Sequence, residues 1–343
     1  NETERFIEAG DWLVWQLTGH EARSESFATY KAHFSRERGY PQDVVAGLAE
    51  RLADPLPGGS SAGPLRPVWC AKTGILGEPA VAVAIIDSHV AMPALGVVDS
   101  GSLMGALGTS AVFLLLDKTA RPLPKGIEGT AYSAAIPDAW CYEAGQASFG
   151  DLLAWFINAF PRSGNVKDDF AYYDRAAALR SLGAGHVLAL DWWNGCRVPF
   201  GDSTLSGLLV GMHMRTTAVD LYRALMESIC FGARTIVDLL ASSGSPIERV
   251  VLTGGLAQKN DVLMQMLADI LGCSLEIPHL THPTAIGAAI HGAVAAGIVA
   301  NYSDGAGRFG ATDYRVVEPT TGVFPIYDER YRRYREMSDN RSV

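Results

Sequence analysis

The chain has 343 residues, long for one hydrophobic core and comfortable for two domains, and its apolar fraction of 48% is enough to fill them. A formal net charge of −9 and a pI near 5.4 count against a nucleic-acid or anionic-membrane surface, since neither attracts an acidic protein, and leave a small-molecule partner. Cys70, Cys141, Cys196, Cys230 and Cys273 are odd in number, scattered and without CxxC spacing, so neither a disulfide framework nor a zinc site is expected, and a reducing cytoplasm fits.

The chain begins at Asn1 without a methionine, and Phe6, Trp12, Leu13 and Leu17 read as a helix already under way, as in the later part of a longer protein. Residues 1 to about 53 read as helices separated by a polar loop around 20–36, and PLPGGSSAGPLRP, 54–67, is a loop by composition. VAVAII, 81–86, is an unbroken apolar, β-rich run of the kind found in buried strands, and it ends at Asp87. A carboxylate at such a strand end can take a proton from an alcohol; equally, it can cap a helix that starts at Ser88.

From about 98 onward GSLMGALG, AVFLLL and AYSAAI predict a meander of short strands. Between the first two, Gly108, Thr109 and Ser110 form a group able to donate to phosphate oxygens, although a hairpin turn is the plainer reading. DSGS, 99–102, is set aside as a phosphate loop because no helix follows it. Glu143, in WCYEAGQ, leaves a short strand just before Gly145, and by default is a surface residue. FGDLLAWFINAF, 149–160, predicts a helix apolar on most faces, and LDWWNGCRVPFGD, 190–202, a loop whose Trp192 and Trp193 serve as core or cleft wall. Thr217 with Asp220 resembles a capping box that opens a helix through about 242, with Leu221, Leu225, Ile229, Ile236 and Leu240 as its buried stripe. Strand 249–253, helix 259–271, strand 274–277, helix 284–298 and an Arg/Tyr-rich final helix complete an α/β order compatible with two RNase H-like lobes.

VLTGGLAQKNDVLMQMLADILG, 251–272, carries the strongest local signal. Gly254 and Gly255 remove Cβ atoms where backbone would lie close to a ligand, so the segment reads as a nucleotide seat or as a plain strand-to-helix turn. No GxxxxGK[ST] and no strand-linked GxGxxG occurs, which disfavours P-loop and dinucleotide-binding enzymes. His279 and His282 have metal-compatible spacing but no third ligand. GAAIHGAVAAGIVA, 287–300, is too short to span a bilayer, and neither a signal peptide nor a membrane anchor is read.

The order of these features is more specific than any one of them. AGDWLVWQLTG, VAIIDSHVAMPALGV, GALGTS, YEAGQASFGDLLAWF, LALDWWNGCR, LYRALMESICFGAR, LTGGLAQKNDVLMQMLAD and AIGAAIHGAVAAG together resemble the FGGY carbohydrate kinases over nearly the whole chain, and YEAGQ, LDWWNG and LYRALMES resemble its ribulokinase branch. The resemblance implies two actin-like, RNase H-type lobes, with residues 1–96 the last part of the sugar-binding lobe and 97–343 the nucleotide-binding lobe. It implies Asp87 as catalytic base, Lys31 and Glu143 on the sugar, Gly108, Thr109 and Ser110 on the ATP phosphates, Gly150 facing the nucleotide, and Gly254, Gly255 and Asn260 at the adenosine. ATP and Mg²⁺ are the implied cofactors, the metal ligands being left open. The partners are sugar and ATP, without nucleic acid or membrane, and a homodimer is compatible.

The expected reaction is phosphorylation of a ketopentose, with L-ribulose to L-ribulose 5-phosphate in arabinose catabolism as first choice. The alternatives are another FGGY kinase, acting on xylulose, gluconate, a polyol or glycerol, and a non-catalytic sugar or nucleotide sensor of the same fold. The sequence departs from the family pattern in lacking an Asp-x-Gly-Thr phosphate loop, in Ala84 where Gly is usual, and in Cys196 where ribulokinases tend to have Asn.

Overall fold

The computed structural model describes residues 4–43, 47–180 and 187–340. Its organising element is a seven-stranded sheet of β1 (Ser102–Leu107), β2 (Ala111–Asp117), β3 (Gly129–Tyr132), β4 (Trp140–Gln146), β5 (Arg249–Thr253), β6 (Leu275–Pro278) and β7 (Tyr314–Val317). In space the order is β7-β6-β5-β1-β2-β4-β3. The strands expected as a meander supply the antiparallel half, β1 to β4, but β2 pairs with β4, which lies between it and β3, so their order is not that of a meander. β5 then lies parallel to β1 and to β6, and β7 closes the far edge antiparallel. Parallel strands need helical crossovers, so this half alternates strand and helix, and the whole is an RNase H-like α/β sheet.

Alternation along the strands gives the sheet two apolar faces. Leu103, Leu107, Phe113, Leu115, Tyr142 and Ala144 enter the larger core, while Met104, Leu114, Leu116 and Cys141 enter a smaller one on the opposite face. The helix Ala218–Ser242 runs through the larger core, and Leu225, Ile229, Ile236 and Leu240 are buried as its periodicity predicts, with Leu221 only partly covered. The capping box forms: Asp220 N–H donates to Thr217 Oγ1, and Thr217 N–H to Asp220 Oδ2. Trp192 is in this core, while Trp193 packs against it from the edge. The smaller core holds Ala91, Met92, Leu95 and Val97 against Ile290 of the helix Pro283–Ala295.

Two buried polar networks tie distant segments to the long helix. Glu227 accepts from Arg223 Nε at 3.0 Å and from Arg330 Nε at 2.9 Å, fastening the final helix, Phe324–Asp339. Asp191 accepts from Gln146 Nε2 and from Tyr334 OH, both at 2.6 Å, and Gly232 leaves room for that group, because a Cβ there would lie 2.5 Å from Asp191 Oδ2.

Several expectations for the first third are corrected. The supposed polar loop contains the helix Glu25–Ala32, capped by Ser24; its buried residues are Glu25, Ser26 and Ala28, so no apolar stripe announces it. The strand expected over 81–86 is only Ala80–Ala82, because its one partner, Ser61–Pro64, is short and bulged. That partner and Pro55–Leu56 lie inside the segment read as loop. The first helix is Ala9–Thr18, with Phe6 outside it, and it buries Asp11, Val14 and Thr18 while Trp12 and Leu13 are exposed. Beyond these, the helices Val166–Ala178 and Tyr302–Phe309 and the strand β7 have no counterpart in the sequence reading; Val166–Ala178 buries only Asp169, Tyr173 and Ala177, too sparse a pattern to stand out. VLTGGLAQKN leads into two helices, Gly255–Lys259 and Asp261–Leu271, broken at Asn260.

Burial pushes the Asp191 carboxyl up from 3.8 to about 6, against the opposing hydrogen bonds from Tyr334 and Gln146. A carboxyl that holds its proton more tightly folded than unfolded contributes stability fully below pH ~4, and loses it as pH rises through ~6. Relative to the parent, Asp191→Asn is therefore expected to gain stability between pH 4 and 7, by up to about 3 kcal/mol at 1.36 kcal/mol per pKa unit. Urea melts of both proteins across that range check it, and parallel pH profiles would remove Asp191 from the account.

Candidate active site

Strand alternation places Glu143 of β4 on the same face as Cys141, the face that carries the smaller core. There it meets Tyr30 and Lys31 from the helix Glu25–Ala32, Ile86 and His89 from the turn around Asp87–Val90, and Arg197 from the loop after the buried Asp191, around a cavity of about 290 Å³. Glu143 is thus a cavity residue, and its default reading as surface is corrected. His89 Nε2 lies 3.4 Å from Glu143 Oε2. Burial alone would raise the Glu143 pKa, but His89, Arg197 and Lys31 outweigh it and hold the carboxyl below its ordinary range.

Arg197 is fixed from two sides. Its Nε donates to Glu128 Oε1 at 2.6 Å, and its guanidinium lies over Gly145, where a Cβ would come within 2.7 Å. The Tyr30 ring packs against His89 with centroids 4.7 Å apart, and its hydroxyl donates to Cys141 O.

Asp87 follows Ile86 of the cavity wall and opens the short helix Asp87–Val90, its Oδ1 accepting from Ser88 N–H at 2.7 Å. Its side chain is exposed, not buried as the apolar run before it suggests. The turn is held from behind by the helix Pro283–Ala295, whose Gly287 approaches so closely that a Cβ there would overlap the Val90 carbonyl.

A second group of predicted residues converges at the C-terminal end of β1. Gly108 and Thr109 form the exposed turn between β1 and β2, with Ser110 half-buried. Gly150 N–H donates to Gly108 O at 3.0 Å, and Phe149 N–H to Thr109 O at 3.0 Å, so the turn sits against the start of the helix Gly150–Ala159. Only glycine fits at 150, where a Cβ would lie 2.6 Å from Gly108 O. Gly254 has φ +100° and rests on the Leu107 carbonyl, while Gly255 faces open space and is exposed. Asn260 stands apart from this opening. It is buried, its Oδ1 accepts from Leu263 N–H at 2.9 Å, and its Nδ2 donates to Asp174 Oδ2 at 3.2 Å.

His282 occupies the N-cap of the helix Pro283–Ala295, and among the described residues no cluster of three or more His, Cys, Asp or Glu could hold a metal ion.

Gly108, Thr109, Ser110, Gly150, Gly254 and Gly255 thus gather at the end of β1, while Lys31 and Glu143 line a cavity of their own. The profile for the FGGY family of carbohydrate kinases, C-terminal domain, matches residues 103–296. The chain belongs to the FGGY family of carbohydrate kinases. It is 34% identical over 353 residues to a ribulokinase from Bacillus licheniformis, covering 97% of this chain and 64% of that protein. It is 35% identical over 363 residues to a ribulokinase from Halalkalibacterium halodurans, covering 99% and 64%. The chain therefore spans a little under two thirds of these relatives. A xylulose kinase structure from Rhodospirillum rubrum superposes with a TM-score of 0.85 at 22% identity, over 98% of this chain and 67% of the other, which shows the shared fold.

Sequence reasoning missed Tyr30, His89, Glu128 and Arg197 as cavity residues. His89 and Arg197 stood inside the motifs DSHV and NGCR, but nothing in one strand or loop says that the two segments meet.

The two glycines of the GG turn should separate in a stability assay. Gly254→Ala meets a backbone carbonyl at a φ reserved for glycine and is expected to cost at least about 2 kcal/mol. Gly255→Ala points into open space at a helix start and should stay within ~0.5 kcal/mol of the parent. Denaturant midpoints of the two variants decide, and equal losses would mean that the close approach of Gly254 to Leu107 is not a real constraint.

Proposed function

We propose that this chain carries the sugar cavity and the nucleotide-side turns of an ATP-dependent ketopentose kinase, with L-ribulose as first substrate and L-ribulose 5-phosphate as product. The observation that carries the reading is the meeting of Glu143 and Lys31 in one cavity with Ile86 and His89, the residues on either side of the Asp87–Ser88 turn, in a chain about a third identical to ribulokinases. Opposed charges flanking a small polar cavity suit a neutral polyhydroxylated substrate, each hydroxyl being donor and acceptor at once. A pentose-catabolic role in the cytoplasm goes with that substrate.

In this reading Asp87, an exposed residue next to Ile86 of the cavity wall, accepts the proton of the terminal hydroxyl as its oxygen forms the new bond to the γ-phosphorus and the bond to ADP breaks. The turn Gly108, Thr109 and Ser110 lies along the phosphates, with Gly150 behind it. Gly254 and Gly255 line the adenosine, and Asn260 supports them by capping the following helix. Mg²⁺ arriving with ATP would offset charge on the transferring group; among the described residues no cluster of three or more His, Cys, Asp or Glu could hold the ion.

ADP release by the product of the complete reading frame tests this, with MgATP and a panel of L-ribulose, D-ribulose, D-xylulose, gluconate and glycerol. Turnover on ketopentoses is expected, and Asp87→Asn should lower it by at least ~100-fold without loss of folding. A preference for gluconate or glycerol would move the substrate elsewhere in the family, and sugar binding without ADP would favour a sensor.

A further inference from the structure

Building on the kinase reading, we infer that His89 is a sugar-binding residue whose Nε2–H donates to a hydroxyl of the ketopentose shared with Glu143. His89 is 1% exposed, yet its Nε2 has no hydrogen-bond partner, and the residue lines the same cavity as Lys31 and Glu143. Buried ring nitrogens are normally satisfied, so an unsatisfied one at a cavity wall points to a partner that arrives with the ligand.

The other ring nitrogen sets which atom carries the proton. Nδ1 lies 3.1 Å from Ser88 Oγ, and when that hydroxyl donates to Nδ1 the imidazole proton sits on Nε2, facing Glu143 Oε2 at 3.4 Å. That pair is in ionic range but not aligned as a hydrogen bond. A hydroxyl satisfies both groups, accepting from His89 and donating to the carboxylate, whereas a substrate carboxylate at that position would face the ionised Glu143.

The ring has little freedom to be elsewhere. Tyr30 packs on it, and the turn that carries it is clamped at Val90 by Gly287. Because His89 is two residues from Asp87 on the same turn, the inferred contact fixes the sugar relative to the base.

The test uses the product of the complete reading frame, with steady-state kinetics and calorimetric sugar binding for the parent, His89→Phe and His89→Gln. The substrates are L-ribulose and a set of ketopentose analogues each missing one hydroxyl. His89→Phe keeps a ring against Tyr30 and removes the donor; it is expected to raise the sugar KM and Kd about tenfold, leave the ATP KM unchanged, and be partly rescued by His89→Gln. For one analogue, the one missing the contacted hydroxyl, parent and variant should bind alike. The assignment is overturned by a folded His89→Phe with the parent's sugar affinity, or by an equal penalty on every analogue. Should His89→Phe not fold, His89→Gln is read on the same analogue set. A parent that binds sugar but releases no sugar-dependent ADP would sink the kinase reading, while the Kd values still decide the role of His89.

Discussion

The placement of the candidate site's segments depends on main chain lying directly on main chain. A carbonyl oxygen lies too close for a β-carbon at Gly150, Gly254 and Gly287, within 2.6 Å of where it would stand, supplied by Gly108, Leu107 and Val90 respectively. The first two contacts bring the β1–β2 turn, the start of a helix and the end of β5 to one point. The third presses a helix against the turn that carries Asp87 and His89. Side chains can rotate away from a clash, but a carbonyl moves only with its element, so these positions set where whole segments sit.

Around that frame, buried polar groups decide which segments may approach. Asp191 joins Gln146 of β4 to Tyr334 of the last helix, and Glu227 joins Arg223 to Arg330. Such groups add little net stability compared with an apolar core of the same shape, but each is costly if a partner is lost, which penalises other packings. Gln146 is also three residues from Glu143 on the same strand, so the network that fixes β4 fixes the cavity carboxylate.

Charge in the cavity follows from the same packing. Glu143 is largely buried, and in isolation would take up a proton more readily; His89, Arg197 and Lys31 come from three other segments to reverse that tendency. None of those segments is adjacent to β4 in sequence, so the electrostatic character of the site is a property of the assembled fold.

Much was legible in the residues themselves. A short apolar run announces β5, a period near 3.6 the helix Ala218–Ser242, and a stretch apolar on most faces the helix Gly150–Ala159, because each of these elements is deeply buried. The motif order points to the family; Lys31, Gly150 and Asn260 are named only through that resemblance, whereas Gly108, Glu143, Gly254 and Gly255 stand out in their own segments. Nothing apolar announces the helix Glu25–Ala32 because its buried side is polar, and the strand before Asp87 is shorter than its apolar run because a strand extends only as far as its neighbour. What the sequence determined by itself was the set of local preferences: where apolar faces lie, where helices start, and where glycine must stand. Which faces meet was decided only in the tertiary structure, since the contact of His89 with Glu143 and the cover that Arg197 gives Gly145 arise between segments whose local patterns carry no record of one another.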